Sequence, residues 1–309
     1  WFTGVIIGIS GVMSGILVVA ANGWMNSPSG FTYENGVFSD INPIEAMLNG
    51  AWFTQALHMT LAAFVATGFA VAGIHAYQVY KGRNVELHKK AFRIAIIFAA
   101  VAALLQPISG DISAKDVAQR QPAKLAALEA HYETEKGAPL YIGGIVDEEK
   151  QEVTHKIEIP KALSFLAFGD FDAEVKGLND FPEDEQPPVA IVHYAFQIMV
   201  GIGTLLAIVG LFYLLSLKWK KWQNHRKFWL LFTLMAPLGY IALEAGWIVT
   251  EVGRQPWIIY QVMKTKDAVT PMPGIFYSLI TYTGMYIVLT CVVSWLLARQ
   301  IKVLNQNEA

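Results

Sequence analysis

Six stretches of this chain carry almost no charge and are long enough to cross a bilayer. A transmembrane helix needs about 20 mostly apolar residues. Residues 1–33 are free of charge, with the apolar part at Phe2–Asn22, and so are 46–80, 94–110, 186–217 and 268–298. The remaining stretch, 228–250, is interrupted once, by Glu244. Only 16% of the residues are charged and 54% are hydrophobic, whereas a soluble domain has about 25% charged residues. That much apolar surface does not fit inside one water-soluble core. The net charge of −2 leaves no electrostatic footprint for DNA or RNA, so no nucleic-acid partner is expected. The one cysteine, Cys291, excludes a disulfide within the chain and any CxxC metal site. Residues 1–33 offer no basic n-region of a signal peptide. The fold class expected is an all-α integral membrane protein with six transmembrane helices and one long extracytoplasmic loop.

Basic residues orient such a chain. Lys81, Arg83, Lys89, Lys90 and Arg93 lie between spans two and three, and Lys218, Lys220, Lys221, Arg226 and Lys227 between spans four and five. Arg299 and Lys302 follow span six. These places share one side if every span crosses, and that side is expected to be cytoplasmic. The link at 23–49 has no basic residue, as suits the outer side. The chain therefore divides into membrane helices 1–3 (1–110), an outer loop (111–188) and membrane helices 4–6 (189–309). The outer loop holds 17 acidic and 8 basic residues. Pro122 marks a helix start within it, and Pro182–Pro188 is a stiff acidic lead-in to span four. In span one, Gly4, Gly8, Gly11 and Gly15 predict close helix packing through small residues.

Ionisable side chains at bilayer depth are functional by default, because each costs about 2.5–3.5 kcal/mol on insertion scales. His58 is roughly 13 Å below the outer border at ~1.5 Å per residue. It is either a neutral imidazole bonded to a neighbouring helix or a ligand to a metal or haem. Met199 comes in from the same side to roughly 16 Å by the same measure. Alone it reads as core filling, but an imidazole and a thioether at one level can clamp an iron from both faces. Tyr240, Glu244, Trp247 and Glu251 share one helical stripe that must face protein or a cofactor. Glu244 can serve as iron ligand, proton relay or partner of an arginine. Arg254, in Gly253-Arg254-Gln255-Pro256-Trp257, suits an anionic group such as a haem propionate, or else caps a helix end. His193 and His75 read as satisfied interfacial histidines. His58 and His75 are about 260° apart around a helix and do not line one face. No phosphate-binding glycine loop, nucleophile elbow or HExxH is present.

These residues resemble subunit I of the cytochrome bd-type quinol oxidases. The strings that carry the resemblance are Ala21-Asn22-Gly23-Trp24-Met25, the span around His58, and Gln121-Pro122-Ala123-Lys124-Leu125-Ala126-Ala127-Leu128-Glu129. Phe196-Gln197-Ile198-Met199-Val200-Gly201, Glu244-Ala245-Gly246-Trp247 and Gly253–Trp257 complete them, and their order spans nearly the whole chain. The resemblance implies that His58 and Met199 are the axial ligands of a low-spin haem b. It implies that Glu244, with Trp247 on the same stripe, serves a high-spin haem b, and that Arg254 sits beside the haems. A haem d or a third haem b would complete the oxygen-reducing centre. Lys124 and Glu129 match residues implicated in quinol oxidation, so quinol and oxygen are the implied substrates. The implied partners are a second large membrane subunit and a small single-span subunit. The implied location is the bacterial cytoplasmic (inner) membrane, multi-pass, with the long loop outside.

Three departures bear on this. The family has about three further helices before the segment that begins here, so the chain looks N-terminally truncated. Tyr240 stands where a Trp is expected, and Gln197 where many members have Arg, which removes a charge near the low-spin haem. Two rival readings are a proton-coupled secondary transporter, with Glu244 as the coupling site, and a non-catalytic, truncated haem-binding paralogue.

Overall fold

In lipid every backbone N–H and C=O must be paired within its own segment, and the six apolar stretches accordingly become helices. The computed structural model describes residues 1–306, with Lys220 and Gln306 in backbone only. The first span is α1 (Phe2–Asn26), followed by a hairpin of β1 (Thr32–Glu34) and β2 (Val37–Ser39) and the short α2 (Pro43–Met47). Then come α3 (Trp52–Tyr80) and α4 (Val85–Arg120), the loop helices α5 (Pro122–Glu129) and α6 (Ala162–Phe168), and α7 (Val189–Ser216). The fifth span is α8 (Arg226–Met235) plus α9 (Leu238–Val252), and the sixth is α10 (Ile275–Gln306). Among the described residues six spans are long and apolar enough to cross a membrane.

Two boundaries differ from the charge pattern, each for a local reason. The third span is expected to end at residue 110, but α4 continues to Arg120. Its polar end supports itself with i,i+4 ion pairs, Lys115–Asp111 and Arg120–Asp116, both 2.6 Å. The fifth span breaks in two at Ala236-Pro237, because proline has no N–H to continue the ladder.

Small residues set the helix spacing. A Cβ added at Gly68 of α3 would lie 2.6 Å from Ala99 of α4, and one at Gly239 of α9 would lie 2.6 Å from the Ala66 Cα. Gly73 of α3 meets Ala236 and the Phe232 carbonyl just as tightly. The inner half of the bundle fills around Phe69, Phe92, Ile96, Tyr213 and Phe232. Gly73→Val must push α8 away from α3, and overpacking of this kind costs about 1–3 kcal/mol. The protein is expected to lose thermal stability, read as a lower unfolding temperature.

The glycine stripe of α1 behaves differently from its sequence reading. Among the described residues a Cβ added at Gly4, Gly8 or Gly11 would meet nothing within 4 Å outside its own helix, and one at Gly15 would meet Met59 Cε at 3.6 Å. Within this chain α1 packs on α3 through its other end, where Gly23 meets Asn49 and Trp52. The helix α10 joins the bundle at its last turns, through Leu304 and Asn305 to Asn84, His88 and Gln78.

The long loop is built on α5, α6 and short ribbons. β3 (Glu135–Lys136) pairs with β8 (Glu174–Val175). β4 (Leu140–Ile142) pairs with β7 (Ile157–Ile159), and β5 (Ile145–Asp147) with β6 (Glu152–Thr154). Leu140↔Ile159 and Ile145↔Thr154 belong to one continuous antiparallel register, so these four strands are a single hairpin with a kink. Gly143 and Gly144 make the kink at φ +66 and +104, and a Cβ at Gly144 would lie 2.5 Å from Val153 Cγ1. Only glycine fits there.

Candidate functional site

The helices α3 and α7 stand diagonally, each packed against both α4 and α9. His58 projects from α3 and Met199 from α7. The His58 ring is held by a three-part network. Nδ1 lies 3.0 Å from Ser109 Oγ, and Ser109 Oγ donates to the Gln106 carbonyl at 2.9 Å. The Gln106 amide donates to His58 O at 3.2 Å and lies 3.1 Å from Nε2. These roles are consistent only if Nδ1–H donates to Ser109, which leaves the Nε2 lone pair as an acceptor. A metal-bound histidine needs one nitrogen anchored to a neighbour and the other able to ligate; here Nδ1 is anchored and Nε2 is covered by the Gln106 amide, which would have to turn aside for a metal.

Two further observations fit an iron porphyrin between these helices. Gln106 Oε1 is buried without a partner among the described residues, so the amide that covers Nε2 is only partly satisfied. Glycines flank both donors: Gly110 lies beside His58 Cε1, and a Cβ at Gly246 would lie 3.1 Å from Met199 Sδ. An imidazole and a thioether are the His/Met donor set that raises a haem's potential.

The carboxylates separate by their contacts. Glu244 is exposed and makes no hydrogen bond or ion pair among the described residues, and Tyr240 above it is also exposed. Trp247 is half-buried. Glu251, two turns on, accepts from Asn22 of α1 and pairs with Arg254 at 2.6 Å. Arg254 is 3% exposed, and its Nε and Nη1 have no partner among the described residues. Burial holds its pKa below the ordinary value while Glu251 works against that shift. A buried guanidinium with two free donors is built for an anion. Sequence reasoning placed Glu251 on the stripe but gave it no role. The adjacency of Glu251 to Arg254 was the available signal.

Helix α5 starts with Pro122 and ends at Ala130, which takes the left-handed conformation at φ 49. The His131 N–H then bonds back to Ala126 O at 2.8 Å, closing the helix end. Every residue from Ala123 to Glu129 is buried, including both ionisable ones. Lys124 Nζ donates at 3.2 Å to Thr250 O, a free carbonyl in the last turn of α9. Gly253 leaves room for it, since a Cβ there would lie 3.1 Å from Lys124 Cε. Burial, with Arg254 nearby, lowers the Lys124 pKa to about 7 against the pull of Glu251. Burial raises the Glu129 pKa to about 8, and its Oε2 has no partner among the described residues. Helix α5 rests on α7, which carries Met199, and on α4, whose Ser109 and Gln106 hold the His58 ring.

His193 is not the satisfied interfacial residue that sequence suggests. It is fully buried, with Nδ1 2.8 Å from Leu128 O and Nε2 without a partner among the described residues. His75 is satisfied by His88, at 2.8 Å.

Gln197 has a use that the sequence did not reveal. It accepts from Gly143 N at 3.2 Å and donates to Tyr141 O at 2.9 Å, pinning the kinked hairpin to α7. Gln197→Ala removes two hydrogen bonds worth about 0.5–1.5 kcal/mol each. It should loosen the loop, read as faster proteolysis between 140 and 160, and raise the apparent KM of any substrate bound beneath it.

Residues 1–304 match the family model described as "Cytochrome bd terminal oxidase subunit I". A Bacillus subtilis protein named "Putative cytochrome bd menaquinol oxidase subunit I" is 38% identical over 297 residues, covering 94% of this chain and 66% of that protein. A second from the same organism, "Cytochrome bd ubiquinol oxidase subunit 1", is 29% identical over 305 residues, covering 94% and 65%. Among solved structures, the bd oxidase from Geobacillus thermodenitrificans matches with a TM-score of 0.87 at 39% identity, over 95% of this chain and 68% of that one. The chain thus spans about two thirds of the length of the curated relatives it matches. Matched in sequence and fold across nearly its whole length, the chain belongs to the cytochrome bd terminal oxidase subunit I family.

Proposed function

We propose that this chain forms the quinol-oxidising and haem-binding part of a terminal quinol oxidase in the bacterial cytoplasmic membrane, with its long loop on the outer face. The observation that carries the reading is the stacking of α5, which buries Lys124 and Glu129, on the helices around His58 and Met199. Bound haem supplies the one-electron chemistry that these side chains lack.

His58 Nε2 and Met199 Sδ would hold a low-spin haem b, with Ser109 fixing the imidazole tautomer. Arg254 would neutralise a propionate with its two free donors. Glu244 and Glu251 are the carboxylates available to a high-spin haem b, and the Asn22 and Arg254 contacts favour Glu251. A haem d or a further haem b would complete the oxygen-reducing centre. Under the loop, Lys124 would hold a quinol oxygen while Glu129 takes its proton. A carboxylate whose pKa is raised by burial is a stronger base for that proton than an ordinary one. The chain would work with a second large membrane subunit and a small single-span subunit.

The test is a reduced-minus-oxidised spectrum of the purified complex, with oxygen uptake on added quinol. A colourless preparation would favour the transporter reading. Haem bands without oxygen uptake would favour a non-catalytic paralogue.

A further inference from the structure

Four of the buried polar atoms that lack a partner among the described residues belong to one place: Glu129 Oε2, His131 Nε2, Tyr132 Oη and His193 Nε2. Three lie within four consecutive residues at the end of α5. The fourth is on the turn of α7 that touches them, since the His193 ring bonds Leu128 O. Each unmade bond of this kind is destabilising, and a cluster of them marks function rather than packing.

The segment cannot swing away to relieve them. The His131 N–H bonds to Ala126 O at 2.8 Å, and the His131 carbonyl accepts from Leu178 N at 3.0 Å. The Tyr132 carbonyl accepts from Asn179 N at 3.0 Å. His131 is therefore fixed and 2% exposed, two residues beyond the interior carboxyl of Glu129 and beside a surface one. Glu129 precedes it at 4% exposed. On its other side the Glu135 carboxylate, at the start of β3, lies 4.0 Å from Nδ1 with its side chain 47% exposed.

We propose that His131 relays the proton taken up by Glu129 to Glu135, and so to the water outside the loop. The proposal rests on the reading of Glu129 as the quinol's proton acceptor. The Glu129 O–H bond breaks as an N–H bond forms at His131 Nε2. The Nδ1–H bond then breaks toward Glu135, across a gap that one water spans. Glu135 releases the proton to solvent and both carboxylates are regenerated, while the ring, left protonated at Nε2 alone, turns about its side-chain torsions so that Nε2–H faces outward and Nδ1 inward before the next proton passes. No electrons move in these steps. Burial holds the imidazole below its ordinary pKa, while Glu135, the backbone of Val175 and Glu133 raise it and Lys156 lowers it. The ring is thus neutral between turnovers and free to accept.

The test uses the assembled oxidase with saturating quinol. His131→Gln keeps a polar side chain but cannot pass a proton through. It should lower kcat on the order of a hundredfold, the low end for a positioned proton-transfer group, with KM and haem bands unchanged. The solvent deuterium isotope effect should rise, and added free imidazole should restore turnover. Glu135→Gln, at a half-exposed position that tolerates substitution, should lower kcat in the same direction by less. If kcat is unchanged in His131→Gln while Glu129→Gln abolishes turnover, the relay is wrong and the base stands. If Glu129→Gln itself leaves turnover intact, the underlying reading fails. A raised KM without imidazole rescue would make His131 a structural residue and overturn the relay. Should His131→Gln not assemble, an unchanged kcat and isotope effect in Glu135→Gln would overturn it equally.

Discussion

Glu129→Gln in the assembled enzyme is expected to reduce quinol turnover by about 10²–10⁴-fold, the range a positioned proton acceptor contributes. The substitution keeps the size of the side chain and one carbonyl oxygen but removes the base. All haem bands should remain, because Glu129 sits on α5 and belongs to neither the His58 nor the Met199 surroundings. The pH profile gives a second readout. Glu129 must be ionised to accept a proton, and its raised pKa of about 8 means this form is gained as pH rises through that value. Lys124 must be charged to donate, and its lowered pKa of about 7 means this form is lost as pH rises through 7. Each required form is a minority between these values, and the product of the two fractions is greatest there. The wild-type kcat/KM should therefore peak between about pH 7 and 8 and fall on both sides. In Glu129→Gln the acid limb should vanish. A full-rate Glu129→Gln enzyme, or an unaltered acid limb, would remove Glu129 from the mechanism.

The second large effect concerns Met199. Exchanging Met for Leu conserves volume and usually costs less than about 1.5 kcal/mol in a packed interior, so Met199→Leu should still assemble. It removes the thioether facing Gly246 and with it the proposed sixth ligand. The low-spin haem signal should lose its sharp reduced band. Its midpoint potential should fall on the order of 0.1 V, within the range of about 0.8 V that axial ligands command. Oxygen uptake on quinol should fall with it, while a ligand-binding band of the high-spin centre stays. An unchanged band and potential would strike Met199 from the ligand set. His58→Ala would confuse the result, because the Ser109 and Gln106 groups would be left unpaired as well.

Some of this was readable in the residues themselves. Burying charge in lipid is so costly that the uncharged runs had to be helices, and basic residues between them gave a consistent sidedness. The same cost made His58 conspicuous. Met199 was conspicuous only through its matching depth, since a thioether carries no penalty of its own. The family was legible because Gln121–Glu129 and Gly253–Trp257 occur in order and at the expected depth in the topology.

The rest required the chain to be folded. Glu244 and Glu251 share a stripe, and no helical periodicity separates them. The choice of partner fell to Asn22, more than two hundred residues away, and to Arg254. Pattern alone could not show that Lys124 and Glu129 are both buried, because exposure in a loop depends on what covers it. Gln197 looked like a lost charge and proves to be a clamp on the hairpin. The end of α4 escaped notice because short-range ion pairs can carry a helix past the last apolar residue. Sequence fixes what each segment must avoid, since the solvation cost of a side chain is local and additive. Only tertiary structure decides which polar groups meet, since a hydrogen bond or a ligand pair depends on positions that no single segment contains.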